Sequence, residues 1–378
     1  MKQFIYIISI SFLLSGCTIN DYNSIGSAFM SKNPTYALEN YAKIKTRQYV
    51  SNPKRLKNDL KFLSNFVENI TNQWGFENIK IPKKKEYVKY MQNYRSRALV
   101  DFDKGTVIVE SLDTKISLKN AIITTLLLPN DPRGADLFNA NKIKLGSTPY
   151  LLGEVKDDQN KNIRYFWRAN RYANILLKTL YKTKIENKKR VHYVSIPMVK
   201  DHASIRITKF KPLIKTYAKK FNVSENLLYA IIQTESNFNQ FAVSGAGAYG
   251  LMQIVPKSAG KDAFKRVKGK SWTPSKSYLF DPKNNIELGS AYINILEKNY
   301  LAGIHNPVSM EYCVISAYNT GSGNVLKTFD LRREKAKFII NSKKPADVYH
   351  KLLTKLPYKE TRRYLKKVIY NKKRFVNL

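Results

Sequence analysis

Glu235 occupies a position that ordinary packing does not account for. Leu228, Ile231 and Ile232 precede it by seven, four and three residues, offsets that put its carboxylate on the apolar face of a helix, near the C-terminal end. Burial disfavours the charged form and raises a carboxyl pKa, and the negative end of a helix dipole pushes the same way. A carboxylic acid held protonated near neutral pH is what a general acid requires. The same placement also suits a Glu that pairs with Lys or Arg, or one that reaches back to water. The helix alone leaves these readings open.

The segments that follow are of the kind that surround a ligand. Asn237-Phe238-Asn239 leads into AVSGAGAYGLMQIVP, where Gly245, Gly247 and Gly250 permit a tight loop close to a bound molecule. Met252 and Gln253 come next, an apolar and an amide group suited to lining a sugar site. VISAYNTGSGNV then sets Tyr318 and Asn319 before Gly321 and Gly323, and PYKETRRYLKKV opens a short basic helix after Pro357 that carries Tyr364. Taken singly, each glycine cluster is also an ordinary turn. Ordinary glycosidases use two carboxylates at a defined separation. Here the acids nearest Glu235 in sequence are Glu225, ten before, and Asp262, twenty-seven after, so no local second acid is offered.

These groups need elements to hold them. From Lys209 onward the pattern is almost all helical, and Asn222 followed by Glu225 resembles a capping box at the start of the Glu235 helix. Upstream, residues 37–49 and 55–72 have helical periodicity, with Leu60, Phe62, Leu63, Phe66 and Ile70 recurring on one face. RALVDFDKGTVIVESL alternates apolar and polar residues on both sides of Asp103-Lys104-Gly105, a hairpin signal. Residues 117–128 read as a buried helix stopping before Pro129, Trp167–Leu180 as an amphipathic helix, and Arg190–Val199 as a strand. Lys83-Lys84-Lys85 and Lys188-Lys189-Arg190 read as solvated faces. A chain of 378 residues suits two domains. The boundary falls between Pro197 and about Ile205, with a mixed half before it and a helical half after it: α+β overall.

The formal charge of +38 is spread evenly, +18 over residues 1–200 and +20 over the rest. Such a balance favours polyanionic partners: nucleic acid, an anionic membrane or an acidic polymer. The N-terminus narrows the choice. MKQFIYIISISFLLSGC has a basic start, an apolar run too short to span a bilayer, and small residues after it, which together read as an export signal. Leu14-Ser15-Gly16-Cys17 resembles the lipobox of bacterial lipoproteins, in which cleavage precedes the Cys and the Cys is lipidated. Thr18, where an Asp usually retains such proteins at the inner membrane, leans towards the outer one. Export argues against a nucleic-acid partner, and no helix-turn-helix, RNP or finger spacing occurs. Cys313 is the one cysteine after Cys17 and reads as buried packing. His192, His202, His305 and His350 are scattered without metal-ligand spacing.

Glu235-Ser236, Gly250-Leu251-Met252-Gln253, Ala317-Tyr318-Asn319-Thr320-Gly321 and Glu360-Thr361-Arg362-Arg363-Tyr364, in that order, resemble the soluble-lytic-transglycosylase family of lysozyme-like folds. Within it the likeness is to a lipoprotein group with an N-terminal domain of its own, and it extends there through Asp131-Pro132-Arg133-Gly134-Ala135-Asp136-Leu137-Phe138-Asn139. It covers nearly the whole mature chain, most specifically residues 209–370. Departures are local: Thr320 replaces a usual small Ala or Gly, and Ser244-Gly245-Ala246-Gly247 varies among relatives.

The resemblance implies a signal peptide at 1–16, a mixed α+β accessory domain at 17–204 lipidated on Cys17, and a mainly α-helical lysozyme-like catalytic domain at 205–378. It implies one Glu that protonates the glycosidic oxygen between N-acetylmuramic acid and N-acetylglucosamine. The same Glu then acts as base on the muramyl C6 hydroxyl, closing a 1,6-anhydro ring. By position Glu235 is that acid/base. Ser244, Gln253 and Asn319 contact sugar hydroxyl and N-acetyl groups, Tyr318 sits beside the acid, and Met252 packs on a sugar face. Tyr364 either orients the site or packs the last helix. No metal or organic cofactor is implied. The partners are peptidoglycan glycan strands and, through the lipid anchor, the outer membrane on its periplasmic face. Two rivals share the sequence features: a lysozyme-type hydrolase, and a non-catalytic peptidoglycan-binding lipoprotein.

Overall fold

The computed structural model describes residues 69–131, 145 and 148–376. The signal segment, Cys17, Thr18, the helix expected at 37–49, most of that at 55–72 and the stretch from Pro132 to Asn139 lie outside the described residues. Two compact units emerge. One holds the described chain up to Arg206 together with Phe241–Tyr249, and the other holds Ile207–Gln240 and the chain from Gly250 onward.

The first unit is built on an antiparallel five-stranded sheet of β1 (Glu86–Met91), β2 (Ser96–Asp101), β3 (Thr106–Ser111), β4 (Lys182–Glu186) and β5 (Lys189–Pro197), in the order β1-β2-β3-β5-β4. The expected hairpin is β2–β3, with Asp101 opposite Thr106. β4 and β5 join through Asn187 and Lys188, both in left-handed backbone, a two-residue turn whose twist matches the strands. Helices α1 (Lys115–Leu126) and α2 (Phe166–Thr179) pack together, and α1 lies on β2 and β3. Thr114 caps α1 by accepting from the Ser117 amide.

Two of the polar positions along the hairpin do not face water. Arg97 and Glu110 are opposite each other in register and both buried. The Arg97 guanidinium lies 3.7 Å from the centroid of the Trp74 ring and pairs with Glu110 (2.5 Å) and Glu186 (3.0 Å). Lys184 closes the network at 2.6 Å from each of the two carboxylates. A buried cation so arranged keeps a full set of partners, without which its desolvation would be prohibitive. Elsewhere in this unit Phe241 contributes its ring to an aromatic cluster, 5.0 Å from Tyr150 and 5.7 Å from Tyr87.

The second unit is helical. The division falls inside α3 (His202–Phe221), and α4 (Glu225–Ser236), α5 (Lys261–Lys268), α6 (Lys276–Phe280), α7 (Pro282–Ile295), α8 (Pro307–Thr320), α9 (Ser322–Lys327), α10 (Arg333–Asn341), α11 (Pro345–Lys355) and α12 (Lys359–Arg374) follow. Leu228, Ile231 and Ile232 are wholly buried, and α4 and α8 both pack on α12. The cap of α4 differs from expectation. Asn222 adopts left-handed backbone just after α3, while Ser224 accepts from the Leu227 amide and caps α4. Left-handed φ suits a residue leaving one helix rather than one entering the next. Cys313 is buried, and burial pushes its thiol up to about 12.

Candidate active site

α4 delivers Glu235 to its last turn, and the residue is 4 % exposed. The helix stops at Asn237, which is left-handed and accepts from the Gln233 side-chain amide at 2.6 Å. Ser236, the neighbour of the acid, ties the helix end to the glycine loop by donating to the Leu251 carbonyl at 2.7 Å.

That loop is held from three sides. Gly250 has φ +77°, and a side chain there would lie 2.3 Å from the Leu279 carbonyl and the Asn285 amide. Asn285, fully buried on α7, accepts from the Met252 amide (2.8 Å) and donates to the Leu279 carbonyl (2.7 Å). Tyr318 on α8 donates its hydroxyl to the Met252 carbonyl at 2.7 Å. Gln253, also left-handed, folds its side-chain amide back on the Gly250 carbonyl at 3.1 Å.

Two phenols sense the acid. Burial first, then the charge of Glu235, raises Tyr318 and Tyr364 well above the ordinary tyrosine range. The Tyr318 ring keeps some exposure while its hydroxyl end is enclosed. Among the described residues the buried Tyr364 hydroxyl makes no hydrogen bond of normal geometry, yet it lies close enough to Glu235 for that carboxylate to raise it. Three residues before Tyr364 on α12, Thr361 donates to the Asn319 side-chain oxygen at 2.6 Å and fixes that amide at the end of α8. Among the described residues, Glu235 is the one carboxylate whose charge reaches either of these two phenols. Other acids of this unit have partners: Glu287 is held by Lys220 and Lys268, and Asp262 accepts from Tyr300.

The structure therefore brings Glu235, Tyr318 and Tyr364 together, and it links Met252, Gln253 and Asn319 to the same elements. Met252 does not offer its side chain as expected. It is wholly buried, with its sulfur against Gly289, where an added Cβ would sit 2.2 Å away. Its contribution is the backbone, which anchors Tyr318 and Asn285. Ser244 packs in the other unit, in the turn where its hydroxyl accepts from the Ala248 amide at 3.0 Å.

The model for the N-terminal domain of membrane-bound lytic murein transglycosylase C matches residues 49–209, and that for the transglycosylase SLT domain matches residues 212–341. A membrane-bound lytic murein transglycosylase C of Yersinia pestis (strain Pestoides F) is 44 % identical over 310 residues, covering 81 % of this chain and 86 % of the relative. The chain belongs to that family. Its counterpart in Yersinia pseudotuberculosis (serotype O:1b) matches equally, 44 % over the same shares. A solved lytic transglycosylase Slt from Pseudomonas aeruginosa, 27 % identical, overlaps 43 % of this chain and 23 % of its own at a TM-score of 0.33.

Within this family member, sequence reasoning missed the residues that hold the loop. Asn285 carried a signal, since Leu288 and Gly289 stand three and four residues beyond it and place its amide on the buried stripe of α7. Thr361 and Ser236 carried none, because a hydroxyl's partner depends on which helix end faces it.

Proposed function

We propose that this lytic murein transglycosylase cleaves the β-1,4 bond between N-acetylmuramic acid and N-acetylglucosamine in peptidoglycan, with Glu235 as its single acid/base. Glu235 gives its proton to the glycosidic oxygen as the C1–O4 bond breaks. Its carboxylate then takes the proton of the muramyl C6 hydroxyl as O6 bonds to C1. No water is consumed, and the acid is regenerated. Asn319 and Gln253 serve sugar hydroxyl and N-acetyl groups, and Met252 acts through its carbonyl, which holds Tyr318. Tyr318 and Tyr364 enclose the acid and keep it from bulk water.

The observation that carries this reading is a buried carboxylate at a helix end whose charge raises two enclosing phenols, while Glu287 and Asp262 of the same unit are held by other partners. Two-acid hydrolysis needs a partner to activate water. Mass spectrometry of digested sacculi tests it: 1,6-anhydromuramic ends are expected, and they vanish in Glu235→Gln. Reducing muramic ends from the parent protein would overturn it in favour of a lysozyme-type hydrolase.

The reading extends to placement. A signal at 1–16 is removed, Cys17 is lipidated, and the chain is held at the periplasmic face of the outer membrane, with an accessory domain to about 204 and the catalytic domain beyond. Family membership and the division near Arg206 support this. No described helix is long and apolar enough to cross a membrane. Several acyl chains on one Cys anchor firmly, at about 0.8 kcal/mol per buried CH₂. Metabolic labelling with palmitate tests it, and a label that survives Cys17→Ser defeats it.

A further inference from the structure

The first unit carries a cationic cleft with no part in the chemistry above. At the end of the sheet where β2 and β5 begin and β3 ends lies a cavity of 660 Å³, walled by Arg95, Lys188, Arg190, His192, Leu112 and Ile185. Arg95 is neutralised by Asp113, which also lines the space. Lys189 spends its ammonium on the main-chain carbonyls of Asn72 and Gln73, at 2.9 and 2.8 Å, and so braces the turn while keeping its charge. Lys188 and Arg190 make no ion pair among the described residues, and both are exposed. The Tyr181 hydroxyl meets His192 Nδ1 at 2.7 Å; burial and then the charges of Arg190 and Lys115 hold that imidazole below its usual pKa. The cleft thus presents uncompensated positive charge around a neutral ring.

Two features narrow the ligand. Among the described residues the free cations are two, Lys188 in the β4–β5 turn and Arg190 at the start of β5, and both line the cleft. Leu112 and the exposed Ile185 add apolar wall to the same cleft, which an inorganic ion would leave unused. A short peptide with free carboxylates and small aliphatic side chains uses both kinds of surface. We propose that this cleft binds the carboxylates of the wall's short peptides, Lys188 and Arg190 taking the anions and Leu112 and Ile185 the aliphatic groups. The proposal rests on peptidoglycan being the substrate. It gives the accessory unit a role in holding the enzyme on peptide-bearing glycan.

The test uses the full chain with Cys17→Ser to keep it soluble, comparing Lys188→Gln/Arg190→Gln with a charge-matched control, Lys265→Gln/Lys270→Gln. Sedimentation with intact sacculi is expected to show about tenfold weaker binding for the cleft variant, the loss of charge-assisted contacts, and an unchanged control. A synthetic alanyl-glutamyl peptide should compete with parent binding, while inorganic phosphate at the same ionic strength should not. On glycan strands stripped of peptide, parent and cleft variant should release anhydro products at equal rates. Equal sacculus binding by parent and cleft variant would overturn the proposal, as would an equal loss in the control. Competition by phosphate as strong as by peptide would overturn it in favour of a phosphate site, and phospholipid vesicles would then identify a headgroup. Failure of the parent to form anhydro ends on stripped strands would instead strike the proposed chemistry, leaving the peptide competition to be read by itself.

Discussion

The Tyr318 hydroxyl donates to the Met252 carbonyl at 2.7 Å, joining the end of α8 to the glycine loop that follows Glu235. This bond does two things at once. It satisfies a buried carbonyl, and it holds a phenol whose pKa is raised by burial and by the charge of the acid. Tyr318→Phe keeps the ring and removes only the donor. Leaving a buried acceptor unmet costs about 1–3 kcal/mol. Urea unfolding should show that loss, and release of anhydro products should fall further than the lost stability explains. An unchanged denaturation midpoint would mean that the carbonyl finds another donor.

Gly250→Ala tests the tightness of the same loop. Its added methyl meets the Leu279 carbonyl, which is backbone and cannot swing aside, in a conformation already strained for an L-residue. A cost of about 2–4 kcal/mol is expected, together with loss of activity. Gly269→Ala is the matched comparison, since it has φ +71° and nothing within 4 Å of the added carbon. Backbone strain alone should cost it about 1 kcal/mol. Equal melting shifts for the two variants would refute the steric account.

Arg97→Leu removes the centre of the ion network beneath Trp74. It strands Glu110, whose side chain is 3 % exposed, on a single remaining cation. Breaking a buried pair costs about 3–5 kcal/mol, because the remaining charge stays desolvated. Arg97→Leu combined with Glu110→Leu should recover much of that loss. By contrast, Lys83→Ala breaks an exposed pair with Glu86 and should change stability by less than about 1 kcal/mol. Calorimetric unfolding separates the three cases.

Glu287 sets part of the acid limb of stability. Burial pushes its carboxyl up, but Lys220 at 2.7 Å and Lys268 at 3.3 Å more than reverse this, leaving its pKa below the usual range. A group depressed in the folded state stabilises above its unfolded pKa, about 4.3, and loses that contribution as pH falls through the lower folded value. Unfolding free energy measured from about pH 6 to pH 3 should therefore decline more steeply in the parent than in Glu287→Gln. Parallel curves would show that the two lysines do not bias this carboxyl.

How much of this was legible depended on the range of the interaction. Glu235 could be read because its helix supplies its own apolar stripe, and the β2–β3 hairpin because alternation and a glycine turn are local. β4 was missed: it is a charged, five-residue edge strand, and such composition protects an edge while hiding it from pattern reading. The burial of Arg97 and Glu110 was not legible, because the distant Trp74 and Glu186 complete their surroundings. Met252 beside a glycine loop reads as a ligand wall, yet its direction is decided by the space above Gly289. The Asn222 and Ser224 caps differ by backbone handedness, which side-chain type alone leaves open.

The passage of Phe241–Tyr249 into the first unit has a consequence for how such proteins are cut and recombined. The chain changes unit three times, between Arg206 and Ile207, between Gln240 and Phe241, and between Tyr249 and Gly250. No single scission yields either unit whole. A fragment beginning at Ile207 carries Phe241 away from Tyr87 and Tyr150, and a fragment ending at Arg206 leaves those rings with an open socket. The two halves are thus modules in outline but not in topology: swapping one between relatives means grafting a discontinuous piece.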